Sequence, residues 1–226
     1  MEDISGNLEK VRAQIAAAAE KSGRDAADVQ LVAVTKKQDA KKIRAAEEAG
    51  QMLFGESRVQ EARAKIPLLS SRLRWHFIGT LQKNKIRQAL PLFEMFHSVD
   101  SLALAEDIQR IADEEGANPR VLLQVNVAGE ASKHGFSPET LRRDFEKLLS
   151  LGRLTTEGLM TIPPLAPEAE ASRRHFAALR ELRDALEEEF SVRLEQLSMG
   201  MSGDFTVAVE EAATLVRVGT AIFGSR

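Results

Sequence analysis

Lys36 closes the apolar run Leu31-Val32-Ala33-Val34-Thr35. A lysine at the end of a buried strand is a candidate nucleophile toward a carbonyl, because a low-dielectric setting disfavours the charged, unreactive ammonium. The plain alternative is a strand end that points to water. Lys37 follows directly, and strand alternation would aim it the opposite way. A second constellation lies near the C-terminus, in Ser198-Met199-Gly200-Met201-Ser202-Gly203-Asp204 and in Gly219-Thr220. Glycine turns expose backbone N–H groups, and Ser198, Ser202 and Thr220 add hydroxyls, a donor set that suits a phosphate. Two tight turns that simply need glycine would read the same way. Arg217 sits inside the apolar run Leu215-Val216-Arg217-Val218, where an unpaired charge is costly. It therefore pairs with a carboxylate or faces a ligand's acceptor. Lysine and cradle together describe a ligand that is both an aldehyde and a phosphate ester.

Other polar residues carry less. His76, in Trp75-His76-Phe77-Ile78, reads as a hydrogen-bonded core residue, and His97, His134 and His175 match no metal-ligand spacing. The chain has no cysteine, which removes disulfides, thiolate metal sites and cysteine nucleophiles. It has no tyrosine, so no phenol can act as acid or base. The formal net charge of -3 argues against nucleic acid as a partner. The basic stretch Gln82-Lys83-Asn84-Lys85 with Arg87 reads as a solvated face, with an anion or RNA contact as the alternative. No metal site is expected.

These residues need elements to hold them. Eight β-rich runs occur at about Val29–Thr35, Met52–Phe54, Leu73–Ile78, Met95–Val99, Val121–Val127, Leu154–Met160, Val192–Leu197 and Leu215–Val218. Between them lie segments of helical period. Leu104, Ile108 and Ile111 share a face that Gly116 ends, and Ser137-Pro138 opens a helix carrying Leu141, Phe145, Leu148 and Leu149. The longest helix is expected over Pro167 to Phe190. A further amphipathic helix, marked by Leu8, Val11, Ile15 and Ala18, precedes the first strand. Continuous apolar strands alternating with helices predict an α/β fold, a single (β/α)8 TIM barrel over residues 1–226 with an extra N-terminal helix. An open doubly wound sheet is the rival, but no GxGxxG or Walker sequence occurs. In a barrel the residues after each strand line one mouth, which places Lys36 beside the ends of strands seven and eight. No signal peptide or membrane-length apolar run is present, so a cytoplasmic location and no membrane contact are expected.

Several segments then fall into the order of one known family. They are AVTK ending at Lys36, FGESRVQE at Phe54–Glu61, WHFIG followed by LQKNK, and HSVDS at His97–Ser101. KHGF at Lys133–Phe136, GLMTIPP at Gly158–Pro164, LSMGMSGDF at Leu197–Phe205 and VRVGTAIFG at Val216–Gly224 follow. Over nearly its full length the chain resembles the pyridoxal phosphate homeostasis proteins. The resemblance implies a barrel similar to the N-terminal domain of alanine racemase, with pyridoxal 5′-phosphate held as a Schiff base on Lys36. It implies that Ser198, Ser202, Gly219 and Thr220 surround the phosphate. Arg217 matches the arginine that approaches the pyridine ring in such barrels, where it meets either the ring nitrogen or the phosphate. Two positions depart from the family pattern: Ser57 stands where asparagine is usual, and Thr80 where proline is common.

The resemblance further implies a buffer or carrier in vitamin B6 homeostasis rather than a catalyst. Apo forms of pyridoxal phosphate enzymes would be its recipients, and free amino acids could reach the cofactor by transimination. Alanine racemase draws its second base, a tyrosine, from a further domain, whereas this chain has no tyrosine and ends soon after strand eight. The alternative is a weak amino-acid racemase. A monomer is expected.

Overall fold

Strands that are apolar on both faces need cover on both, and closing the sheet on itself supplies it. The computed structural model describes residues 3–130 and 133–224. After α1 (Ile4–Lys21), the chain alternates β1 (Gln30–Val34), α2 (Ala40–Glu48), β2 (Leu53–Glu56), α3 (Val59–Lys65), β3 (Arg74–Phe77) and α4 (Ile86–Ala89). It continues through β4 (Met95–Val99), α5 (Leu102–Glu115), β5 (Arg120–Gln124), α6 (Pro138–Leu149), β6 (Thr155–Met160) and α7 (Arg173–Phe190). The last elements are β7 (Gln196–Ser198), α8 (Phe205–Glu210), β8 (Leu215–Val218) and α9 (Thr220–Phe223). All eight strands are parallel and close into a barrel in sequence order, with β8 pairing back on β1. The expected (β/α)8 architecture is therefore the observed one.

Strand parity sorts the side chains into two cores. Val32, Leu53, Met95, Leu122, Met160 and Leu215 form a small cluster of their own inside the barrel. Their neighbours of opposite parity, such as Ala33, Phe54, Val121 and Val216, join the larger core between sheet and helices. The leading helix α1 buries Leu8, Val11 and Ile15 and lies against α2, α8 and α9. At roughly 1.5–3 kcal/mol for each such side chain, this face alone anchors α1 over the β8–β1 seam. The start and stop signals act as expected: Ser137 caps α6 and Gly116 ends α5 at φ 65°, while Ser101 caps the start of α5.

Most strands fall within three residues of expectation, strand five ending at Gln124 rather than Val127, and two boundaries differ by more. The segment expected to begin strand seven at Val192 is instead tied to the preceding helix. Ser191 takes a left-handed conformation, Val192 N–H donates to the Glu187 carbonyl, and Leu194 N–H donates to the Glu187 side chain. Pairing therefore starts only at Gln196. The long helix likewise begins at Arg173 rather than Pro167, after a 3-10 turn over Ala169–Ser172. Pro164 and Pro167 restrict the residues before them to extended backbone, which delays helix entry.

Candidate functional site

The C-terminal ends of the strands converge on one mouth, and Lys36 stands there. Val32 belongs to the inner cluster, and Lys36, of the same parity and two residues beyond the strand end, lines a cleft of about 630 Å³. That volume is typical of small-molecule sites. Lys36 is half-buried and makes no hydrogen bond or ion pair among the described residues. Lys37 is exposed and does not line the cleft. The cleft walls come chiefly from the ends of β2, β3, β5 and β6. Arg58, Lys85 and Lys133 add positive charge, and among the described residues no aspartate or glutamate lines it. Such a site draws anions. Ser57 and Thr80 both lie on its wall. Gly79 is needed there because a Cβ would stand 2.1 Å from the Ser57 carbonyl oxygen.

The ends of β7 and β8 do not line this cleft; they flank Lys36 on its other side. Gly219 lies against β1, close enough that a Cβ on it would meet Val34 at 3.3 Å. Its N–H and that of Ala221 both donate to the Ser202 hydroxyl, at 3.2 and 3.4 Å. Two backbone donors thus converge on one oxygen, at the start of the short helix α9, where Thr220 is exposed. This donor set fits an anionic oxygen, and it sits next to the strand that ends at the Lys36 amine. A phosphate-bearing aldehyde is matched at both ends by residues that are present.

Beneath the mouth a polar bridge crosses the barrel. Buried Arg217 donates to Ser198 Oγ at 2.5 Å and to the Thr161 carbonyl at 2.9 Å. Ser198 Oγ also meets His97 Nδ1 at 2.8 Å, and His97 Nε2 meets His76 Nδ1 at 2.9 Å. Arginine can only donate, and His97 Nδ1 is the one acceptor that meets the buried Ser198 hydroxyl among the described residues, which together set the direction of the chain. The Ser198 hydroxyl accepts from Arg217 and donates to His97, which then donates from Nε2 to His76. The His76 Nε2–H is left without a partner among the described residues. Ser198 is fully buried and its hydroxyl proton goes to His97, unlike half-buried Ser202 and exposed Thr220. Arg217 meets neither a carboxylate nor open solvent: neutral oxygens hold it, with Asp204 acting only through space. Burial pulls its pKa down to about 10, so it remains a cation at neutral pH. Burial likewise lowers His76 to about 4 and holds His97 well below the ordinary histidine value, keeping both rings neutral. A register shift in β4 between Phe96 and Val99 brackets His97. Such irregularities re-aim side chains near functional sites.

Sequence reasoning passed over a third cluster, on the outer face behind Lys36. Lys65 Nζ donates to Glu56 Oε1 at 2.6 Å and to the Thr35 carbonyl at 2.8 Å, and both side chains are buried. Burial pushes the Glu56 carboxyl up from the usual range, against the hydrogen bonds from Lys65 and Thr35. Glu56 ends the FGE run and Lys65 lies nine residues on, a spacing with no motif value. Among the described residues, no three histidine, aspartate or glutamate side chains converge as a metal site would require.

With this geometry in hand, known proteins can be compared. The family model of the alanine racemase N-terminal domain matches residues 6–226. The pyridoxal phosphate homeostasis protein of Pseudomonas aeruginosa is 45% identical, across 100% of this chain and 97% of its own. That of Aquifex aeolicus is 43% identical, across 97% of this chain and 96% of its own. PipY of Synechococcus elongatus, solved with PLP bound, superposes with a TM-score of 0.87 at 41% identity, over 98% of this chain and 100% of that one. An alanine racemase of Clostridium difficile shares the fold alone, with a TM-score of 0.75 at 18% identity over 57% of its chain. Motif order, closed barrel and full-length similarity agree, and the chain belongs to the pyridoxal phosphate homeostasis protein family, on the barrel of the alanine racemase N-terminal domain.

Proposed function

We propose that this chain is a single-domain, cytoplasmic protein that binds pyridoxal 5′-phosphate as a Schiff base on Lys36 and acts as its buffer or carrier. One observation carries the reading. The Lys36 amine has no partner among the described residues and lines an anion-attracting cleft, beside two backbone N–H groups that converge on Ser202 at the end of β8. Bound, the cofactor would supply an electrophilic aldehyde on an electron-withdrawing ring. The chain's own residues then have separate tasks. Lys36 offers the amine. The Gly219 and Ala221 N–H groups, with the Ser202 and Thr220 hydroxyls, receive the phosphate. Arg217, steadied by Ser198, holds a positive charge under the mouth, whether toward the ring nitrogen or the phosphate. An arginine at the ring nitrogen would keep the ring unprotonated and weaken it as an electron sink, which favours holding over turnover. Apo-enzymes and free amino acids are the partners this reading implies, acting on a monomer.

The test is an absorption spectrum of the full chain mixed with pyridoxal phosphate, taken before and after borohydride reduction. A yellow band that borohydride removes, with one label per chain on the peptide bearing Lys36, is expected. A colourless mixture with no label would end the reading.

The phosphate end has its own test. Pyridoxal without phosphate should bind much more weakly than its phosphate ester. Replacing Ser202 or Thr220 by alanine should each remove a hydrogen bond to a charged group, roughly 1.5–3 kcal/mol or at least tenfold in affinity. Equal affinity for the two aldehydes in a titration would rule the cradle out.

A further inference from the structure

The turn that carries Lys36 is held in a conformation its own residues do not favour. Gln38 N–H donates to the Thr35 carbonyl at 2.9 Å, so Lys36 and Lys37 are the two central residues of a hydrogen-bonded turn. Lys37 has φ 61°, a left-handed backbone with no glycine to ease it. A non-glycine residue stays there only when its surroundings over-determine it.

Lys65 supplies those surroundings. Its ammonium has three protons and three acceptors: the Thr35 carbonyl, Glu56 Oε1, and Glu61 Oε1 at 3.2 Å. Glu56 Oε1 accepts in turn from the Thr35 hydroxyl at 2.6 Å. Glu61 Oε1 accepts from the Lys37 backbone N–H. One buried cation thus secures the residue before Lys36 through its carbonyl and hydroxyl, and the residue after it through its amide. Lys36 itself is left unbonded, aimed at the cleft. We propose that Lys65 is a positioning residue: through Glu56 and Glu61 it holds the Thr35–Gln38 turn so that Lys36, and not Lys37, presents its amine to the aldehyde. The inference rests on the proposed attachment of pyridoxal phosphate at Lys36.

The measurement is the ratio of borohydride-fixed label on Lys36 to that on Lys37, by peptide mapping, together with the rate of band formation. In the wild-type chain Lys36 should dominate. In Lys65→Met the ratio and the rate should each fall about tenfold, the scale set by releasing one strained turn. Lys65→Arg, which keeps charge and donors, should restore part of both. Lys65→Met also leaves Glu56 buried without its cation, so Glu61→Gln serves as the milder variant. It loosens the Lys37 amide and should lower the ratio in a folded chain. A general loss of stability would move the melting temperature but not the partition between adjacent lysines. Unchanged ratio and rate in folded Lys65→Met and Glu61→Gln would overturn the proposal while leaving attachment at Lys36 intact. A wild-type chain labelled at neither lysine would instead overturn the functional reading, and this inference with it.

Discussion

Lys36→Ala is expected to abolish covalent attachment of pyridoxal phosphate while leaving the fold and its stability almost unchanged. The two halves follow from the same facts. Lys36 makes no hydrogen bond or ion pair among the described residues, and it is only half-buried, so its removal breaks no contact that holds the barrel. Substitutions of that kind usually fall within about 0.5 kcal/mol. The nearest other amine in sequence, on Lys37, is exposed and does not line the cleft, so it offers no ready substitute. Absorbance should show no aldimine band, borohydride mapping should find no label on the remaining cleft lysines Lys85 and Lys133, and circular dichroism should read a native melt. The same pair of proteins separates carrier from racemase. Proton abstraction at an amino acid's α-carbon needs a positioned base, commonly contributing about 10²–10⁴-fold, in a site that excludes water. Racemisation needs one on each face. The chain contains no tyrosine, and the cleft mouth is rimmed by the exposed Arg58, Gln60 and His134. Deuterium exchange into added amino acids should therefore stay near the rate for free pyridoxal phosphate with either protein. Exchange far above that level, lost in Lys36→Ala, would make the protein an enzyme.

Acidification from pH 7 to pH 5 should destabilise the protein well before its ion-paired carboxylates Glu94 and Glu210 are protonated. His76 is buried beside Arg74, Arg120 and Glu94, and burial is the main cause of its low value. His97 faces His76 and the cationic Arg217, and burial again dominates. Both rings bind fewer protons folded than unfolded. Stability is therefore fully present above the unfolded histidine value, about 6.5, and is lost as the pH falls toward about 4. For His76 alone the span is worth at most about 3 kcal/mol, at ~1.4 kcal/mol per pH unit. That is a large part of the roughly 5–15 kcal/mol that holds a typical domain. His97 acts in the same direction. The ion-paired carboxylates Glu94 and Glu210 have lowered values, so their loss comes later, below the ordinary carboxylate range. Urea unfolding at half-unit pH steps should show the decline beginning near pH 6.5, and imidazole resonances of His76 and His97 in the folded state should not titrate between pH 7 and 5. Titration of either ring in that range would show that the bridge is not sealed from water as the structure has it.

The architecture was legible because it is written in local patterns. Eight apolar runs separated by helical periods admit few solutions, and strand parity alone put Lys36 on the side of Val32 and Val34 and turned Lys37 away. The motif order led to the same family that full-length similarity shows. Boundaries were less legible, since Val192–Leu194 has strand-forming residues but is claimed by the hydrogen bonds that close α7.

The partners of the polar residues were decided by the tertiary structure alone. Ser198 and His97 meet across 101 residues of sequence, His76 joins them through His97, and Arg217 donates to the Ser198 end. From the chain, Ser198 and Ser202 are equivalent hydroxyls in one glycine-rich run. In the barrel one faces inward, buried, against His97, and the other is half-buried beneath two backbone donors. Glu56 at a strand end and Lys65 in the next helix look like ordinary surface charges, yet they form a buried pair behind Lys36. Parity and period are properties of neighbours along the chain, so a sequence carries them openly. Which hydroxyl meets which ring depends on barrel closure, strand stagger and the shift in β4, and those are set only when all eight strands come together.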